Sequence, residues 1–442
     1  MTVLTLSLSI GAEISFCQQT PFAPREDMML FTMDKLQAGY GKDDAIREAT
    51  IETQMKLAET GLPKKPQEKQ GAGKSLKSRI HPYINSKISY DDNIDGVQYN
   101  AKGSMIFDTT PGVKMNFTGK SKALNLDTHI NTEYFNNRSE YDGVDASAGY
   151  SGYMNIGKYI LSSSDIYNNN YLSNISELGG RDEIYQREGI LKRRWLNTFN
   201  LTLGRYFNRL GFDLGYRRQD IDYEPDFSID EDKFVDTGIL NSYLRVATKT
   251  RLIFGYAHSR TEYRKKYLIY NSDDFNLGLT GALSPKLTYL GRVDYFVNDS
   301  KPYNDSDNPA ETDSRVLTLT GNLGYAFSNR TNITFNYNHG IKNFANDSFY
   351  SLEDTFKLTG NHRLAFNPKF NLSLLYEADL NDYPKHIGFA AHTDNYTLGC
   401  GLSYAFRQWL DFGLNWINVR VESDKETPYT KNVVEFKTQA RF

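Results

Sequence analysis

A histidine beside a serine hydroxyl could hydrolyse an ester, and His258 and His339 are the candidates for that chemistry. Side chains two residues apart in a β-strand share a face, so a paired serine would lie two positions after the histidine. Neither histidine has a serine there, although a serine on a neighbouring strand stays open. An interfacial histidine is the commoner explanation, and the sequence predicts no enzyme.

Metal and redox chemistry have little support in the sequence. Cys17 and Cys400 lie in very different contexts, which argues against a disulfide framework or a metal site. His386 and His392 share a polar segment, where two solvated histidines are a better explanation than metal ligands. The chain has no Cys-x-x-Cys-His haem motif. We therefore expect no metal and no cofactor.

Charged residues form a larger set of candidates, because they recur at alternate positions opposite apolar residues. Alternate side chains of a strand point to the same face. Both signs occur, so no single-sign selectivity filter is predicted, and pairing between neighbouring strands is favoured over a dedicated binding site. The positions predicted to face an enclosed lumen are Asp213, Arg217, Arg292, Asp294, Lys357, Arg363, Glu377, Asp379, Asp411, Glu435, Lys437 and Arg441.

A repeating hairpin supplies the strands that position these residues. In each copy, a strand of alternating apolar and polar residues ends near an aromatic residue, a tight turn follows, and a second strand of the same kind begins. Clear copies occupy residues 204–216, 245–257, 281–295, 325–337, 364–378 and 404–416. Longer polar segments separate the copies. Short turns at one rim and long loops at the other predict an all-β transmembrane antiparallel β-barrel of about 18 strands, with about 16 as the alternative.

The composition fits a barrel better than a soluble or disordered chain. Aromatic residues make up 14% of a sequence whose mean hydropathy is −0.58. Disordered chains are poor in aromatics, whereas alternating lipid-facing and lumen-facing residues average to a polar composition. A net charge of −3 gives no reason to expect nucleic-acid binding.

The rim and the final strand carry further membrane signals. Phe327, Phe366, Phe406 and Phe442 are predicted to form an aromatic belt at the periplasmic interface, in contact with outer-membrane lipid. Apolar and polar residues alternate in the last strand. The residues predicted to form the membrane-assembly signal are Val434, Phe436, Ala440 and Phe442.

Three domains are expected. Residues 1–17 are signal-peptide-like, residues 18–79 form a periplasmic helical segment and a basic linker, and residues 80–442 form the barrel. A solvated tail is favoured for residues 18–79 over a plug or a docking segment. The cleavage site and the true start stay open.

Several short motifs resemble those of a known family. They are Tyr90-Asp91-Asp92-Asn93-Ile94, Pro111-Gly112-Val113, Tyr396-Thr397-Leu398-Gly399 and Leu402-Ser403-Tyr404. The chain resembles the β-barrel porins associated with exopolysaccharide gene clusters, and Phe442 is similar to the terminal signal read by the barrel assembly machinery. The resemblance implies a bacterial outer-membrane conduit for polysaccharide export that works with periplasmic export components.

Two other functions stay open at this point. A general or solute-selective diffusion porin would use the same lumen. A structural scaffold or sheath would surround a partner protein.

Overall fold

The computed structural model describes residues 77–94, 99, 101–119, 121–137, 139, 142–171, 193–223, 232–264, 268–302, 314–343, 350–382, 392–423 and 428–442. The expected leader and helical segment lie outside these residues, as do His386 and Cys17. No helix in the described part of the chain is long and apolar enough to cross a membrane.

Eighteen antiparallel strands form one closed sheet, which confirms the predicted barrel and its strand number. Alternating residues rich in Tyr, Phe, Val, Ile and Thr favour such strands, because one face meets apolar surroundings and the other polar ones. The strands are β1 (Lys77–Asp91), β2 (Ser104–Thr118), β3 (Lys122–Phe135), β4 (Gly143–Ile156), β5 (Tyr159–Tyr171), β6 (Arg193–Tyr206), β7 (Leu210–Tyr223), β8 (Lys233–Ala247), β9 (Thr250–Tyr263), β10 (Leu268–Ser284), β11 (Leu287–Pro302), β12 (Ser314–Ser328), β13 (Thr331–Asn343), β14 (Tyr350–Arg363), β15 (Phe370–Asp382), β16 (His392–Arg407), β17 (Leu410–Ser423) and β18 (Tyr429–Arg441).

The connections divide the barrel into two unlike rims. Tight turns join β2 to β3, β4 to β5 and the later even-numbered strands to their successors, and we call this end the short-turn rim. The opposite end carries most of the longer connections and is called the long-loop rim. Register shifts in β8, β10, β12 and β16 all lie beside a short turn, so the extra residue of each bulge is absorbed at that rim.

Pairing between the first and last strands closes the sheet. Tyr83 pairs with Arg441 at one end of this seam and Asp91 with Val433 at the other. The backbone N–H of Phe442 donates to the carbonyl of Pro82 at 2.8 Å. Strand β1 begins at Lys77, so the end of the expected basic linker already belongs to the barrel.

Burial is the reverse of that in a soluble protein. Leu214, Leu374 and Leu414 are more than half exposed on the outer face, while Asp294 and Glu435 are almost fully buried inside. Val434, Phe436 and Phe442 of the expected assembly signal are exposed, and Ala440 is half-buried. Phe327, Phe366, Phe406 and Phe442 are exposed near the short-turn rim; Phe366 lies in the turn between β14 and β15. Phe442 stacks on Trp409, with 6.3 Å between ring centroids.

Candidate functional site

The inner wall of the barrel carries all the charged residues singled out above. Each lies on the face of its strand opposite the exposed apolar side chains. Asp213, Asp294, Lys357 and Glu435 are buried, and the others are half-buried. The strands therefore bring these residues onto one continuous surface, although they are distributed around its circumference and do not form one cluster.

Ion pairs join most of these charges to a neighbour of opposite sign. Along single strands, Arg292 Nε lies 2.9 Å from Asp294 Oδ2, and Lys437 Nζ lies 3.1 Å from Glu435 Oε2. Between strands, Lys357 Nζ lies 3.5 Å from Glu377 Oε2, and Arg441 lies 3.1 Å from Asp411. The wall thus presents close pairs of charge rather than a patch of one sign.

The remaining predicted residues have different surroundings. Tyr206 donates its hydroxyl hydrogen to Asp213 at 2.6 Å, and Arg217 Nε donates to Asn200 Oδ1 at 3.1 Å. Arg363 is half-buried at the short-turn end of β14 and has no ion-pair partner among the described residues. Asp379 lies on the inner face of β15, opposite Thr355.

Three members of a charged group at the closure of the barrel, Lys87, Asp108 and Glu133, are absent from the predicted set, whereas Glu435 and Lys437 belong to it. We call Lys87, Asp108, Glu133, Glu435 and Lys437 the seam cluster. Lys87 pairs in register with Asp108 on β2 and with Lys437 on β18, and Asp108 pairs with Glu133 on β3. Lys87 Nζ lies 2.9 Å from Asp108 Oδ2. The alternation of Ile84, Ile88 and Tyr90 with Lys87 could have identified part of this cluster in the sequence.

Uncharged sectors separate the charged ones. On β12 and β13, Thr320 donates to Asn338 at 3.2 Å, and the amide of Asn322 donates to Asn336. On β4 and β5, Ser147 donates to Asn168 at 2.6 Å. Hydroxyl and amide groups in these sectors can exchange hydrogen bonds with a polar solute without repelling either sign of charge.

His258 and His339, the candidates for hydrolysis, lie on the outer face and each contacts an aspartate. The distances from His258 Nδ1 to Asp273 Oδ1 and from His339 Nδ1 to Asp354 Oδ1 are both 2.9 Å. Their outer-face neighbours on the preceding strand are Gly238 and Leu319. Within the described strands no serine or threonine hydroxyl bonds to either imidazole, so a nucleophile for ester hydrolysis is missing there.

The described strands also contain no group of three or more His, Cys, Asp or Glu residues arranged to hold a metal ion. Cys400 is exposed on β16 and is a free thiol.

Comparisons with known proteins bear on the fold. No family model matches the chain, and no curated protein matches it in sequence. Among solved structures, a BenF-like porin from Pseudomonas fluorescens Pf-5 aligns over 84% of this chain and 100% of its own, at 10% identity and a TM-score of 0.51. The fold is that of an outer-membrane porin. OccK9 (OpdG) of Pseudomonas aeruginosa aligns over 83% of this chain and 99% of its own, at 11% identity and a TM-score of 0.49. OccK2 (OpdF) of the same organism, in complex with glucuronate, aligns over 84% of this chain and 100% of its own, at 10% identity and a TM-score of 0.48.

The porin barrel and its apolar outer face place the chain in a bacterial outer membrane. An even number of antiparallel strands in one closed chain is the bacterial arrangement, and barrels of this size leave an aqueous lumen unless something fills it. These comparisons do not connect the chain with exopolysaccharide gene clusters, so that part of the expected family assignment is not shown.

Proposed function

We propose that this chain is a diffusion porin for small hydrophilic solutes. The observation that carries the proposal is the inner wall, where charges of both signs lie in close pairs beside sectors of hydroxyl and amide groups. Such a wall can replace part of a solute's hydration shell while holding no solute tightly. Diffusion requires that combination, because a strongly bound solute would block the lumen.

Paired charges favour weak ion selectivity. At a separation of about 3 Å, the fields of a lysine and a glutamate largely cancel over a Debye length of about 8 Å at physiological salt. Lys357–Glu377 and Lys437–Glu435 are pairs of this kind. We therefore expect anions, cations and neutral sugars all to pass, at rates governed mainly by size.

Polysaccharide export is the less favoured function. That expectation rested on the resemblance to porins of exopolysaccharide gene clusters, and no feature of the described wall adds to it. The assignment of exopolysaccharide or periplasmic export components as partners stays a prediction, as does the involvement of the barrel assembly machinery. The scaffold alternative likewise stays a prediction that co-purification of a partner would support.

Planar-bilayer recording of the full chain tests the proposed porin. Stable conductance steps and a reversal potential near zero in a KCl gradient are expected. Liposome swelling should then show uptake of monosaccharides and small carboxylates and a steep fall for long oligosaccharides. A barrel shown to be folded by its heat-dependent gel mobility, yet without conductance or swelling, would contradict the proposal and favour a scaffold.

A second arm compares the full chain with one lacking residues 18–76. Equal conductance in both would agree with a solvated tail. Steps that appear only after the deletion would assign residues 18–76 a blocking role and would restrict the porin proposal to the shortened chain.

A further inference from the structure

A tyrosine and a basic residue (His or Arg) share one aspartate at three places on the outer face of the described strands, towards the long-loop rim. Tyr256 donates to Asp273 Oδ1 at 2.6 Å, and His258 Nδ1 lies 2.9 Å from the same oxygen. In each case the tyrosine and the basic residue are two residues apart on one strand, and the aspartate is directly opposite the basic residue on the next strand. A second set consists of Tyr337, His339 and Asp354, and its tyrosine–aspartate distance is 2.8 Å. The third set consists of Tyr216, Arg218 and Asp236.

Two of these sets are on adjacent hairpins and enclose a groove. Gly238 on β8 is opposite Tyr216 on β7 and also opposite His258 on β9. A Cβ atom at Gly238 would meet nothing within 4 Å. Gly238 is thus the floor of a groove on the outer face with Tyr216 and His258 on its two sides, and we call it the Gly238 groove.

The Gly238 groove lies where the outer face changes from apolar to charged. In the row towards the short-turn rim, Leu214 and Leu240 are 62% and 50% exposed. In the row towards the long-loop rim are Arg218, Asp236 and Arg260. A charge on the lipid face is most costly at the bilayer midplane and least costly at the interface. The groove therefore lies at the boundary between hydrocarbon and the head groups of the outer leaflet.

Two basic side chains at the groove, Arg260 and His258, have a nitrogen left for a ligand. His258 contacts Asp273 through Nδ1, so Nε2 faces away from Asp273 and is a donor when the ring is in its imidazolium form. Arg260 has a side chain that is 53% exposed, and its carboxylate partner is Glu262 at 3.1 Å. A guanidinium has five N–H donors in a planar fork that matches phosphate oxygens, so one carboxylate does not saturate it.

Further ion pairs hold this surface in place. Arg264 contacts both Asp220, at 3.4 Å, and Asp222, while Arg218 contacts Asp220 at 3.1 Å. These carboxylates on β7 restrain the arginines of β7 and β9 and leave acceptors for sugar hydroxyls. The guanidinium of Arg218 also lies 5.0 Å from the centroid of the Phe234 ring.

We propose that the Gly238 groove binds the head group of a phosphorylated glycolipid of the outer leaflet, with Arg260 and the imidazolium form of His258 donating to a phosphate and the Tyr216 ring contacting a sugar. The outer leaflet of this membrane supplies such a lipid directly against the groove. An apolar row on one side and phosphate donors on the other match the two ends of that amphiphile. Neither a soluble sugar nor a free phosphate would use both.

Binding of fluorescent diphosphoryl lipid A to the full-length protein in detergent micelles tests the proposal. Arg260→Gln with His258→Gln removes the phosphate donors, and Gly238→Val fills the groove. Each is expected to weaken apparent affinity about tenfold, which corresponds to about 1.4 kcal/mol. Gly291→Val is the matched control, because Gly291 is also exposed on the outer face and a Cβ there also meets nothing within 4 Å. Arg330→Gln at the short-turn rim is the control for charge.

Selective weakening in the groove variants, with both controls unchanged, is the expected result. Equal binding by all variants, each shown to be folded by its heat-dependent gel mobility, would overturn the proposal. Competition by inorganic phosphate or by phosphatidylglycerol as strong as that by unlabelled lipid A would also overturn it, because the site would then recognise phosphate alone. Arg260→Gln alone changes one exposed side chain and remains informative if the double variant folds poorly.

Discussion

The ring of Tyr83 lies directly over the backbone of Gly112 on the neighbouring strand. The two residues are paired in register, and a Cβ atom at Gly112 would be 2.3 Å from the ring. The Tyr83 hydroxyl reaches Asp127 on the next strand at 3.1 Å, and Lys114 Nζ lies 5.4 Å from the ring centroid. One aromatic side chain thus ties together the first three strands, beside the seam at which the barrel closes.

Gly112→Ala should displace the Tyr83 ring and break its hydrogen bond to Asp127. We expect the free energy of unfolding to fall by about 1–3 kcal/mol. Urea unfolding of the barrel in detergent, followed by tryptophan fluorescence, measures the change. Gly321→Ala is the matched control, because a Cβ at Gly321 has its nearest neighbour at 3.9 Å. Equal unfolding midpoints for the two variants would contradict this account of Tyr83.

Tyr206→Phe should destabilise the barrel through Asp213. Asp213 is 2% exposed and accepts the Tyr206 hydroxyl at 2.6 Å, so removing the hydroxyl leaves a buried carboxylate short of a donor. The expected loss is about 1–3 kcal/mol. A double-mutant cycle with Asp213→Asn tests the coupling by urea unfolding. Additive effects of the two substitutions would show that the bond contributes nothing to stability.

Ion selectivity should respond to substitutions in the Lys357–Glu377 pair. Lys357→Met leaves Glu377 unpaired in the lumen and is expected to shift the reversal potential in a KCl gradient towards cation selectivity. Glu377→Gln should shift it towards anion selectivity, and both shifts should shrink at high salt. Asp354→Asn, on the outer face of the same strand as Lys357, is the control and should leave selectivity unchanged. A shift with the control as large as with Lys357→Met would refute this placement of the charges.

Cys400 allows a direct test of which face meets lipid. Cys400 is exposed on β16 and pairs in register with Leu374 on β15. The residue before Leu374, Ser373, faces inward and is 5% exposed. A bimane label on Cys400, in a chain carrying Cys17→Ser, should be quenched by brominated lipid. The same label on Ser373→Cys, with Cys400→Ser as well, should be quenched far less. Equal quenching at the two positions would mean that the faces are assigned incorrectly.

The strands and their faces could be predicted because alternation is a local property of the sequence. Leu372, Ser373 and Leu374 reveal their faces without knowledge of any other strand. The same reasoning places Asp213 and Glu377 on the inner wall. Whether a solute contacts them in passage stays a prediction.

Partners across strands were harder to predict, because they depend on register. The contact of Lys431 with Asp91, at 3.4 Å, joins residues from the two ends of the barrel sequence. Nothing near either residue indicates the other. The pairing of His258 with Asp273 was more accessible, since both belong to one hairpin, but spacing along β9 alone does not indicate that the partner is a carboxylate on β10. The contact of Tyr83 with Gly112 was not predicted for the same reason, because alternation assigns a side chain to a face of the sheet and does not identify its neighbour on the next strand.

The seam between β1 and β18 makes completion of the barrel depend on its last strand. Until β18 pairs with both neighbours, β1 has no partner on one side and β17 has none on the other. Each is then an open edge of the kind from which strands of different molecules pair and aggregate. A premature stop codon within the final strand would therefore yield an aggregation-prone chain rather than a slightly narrower pore.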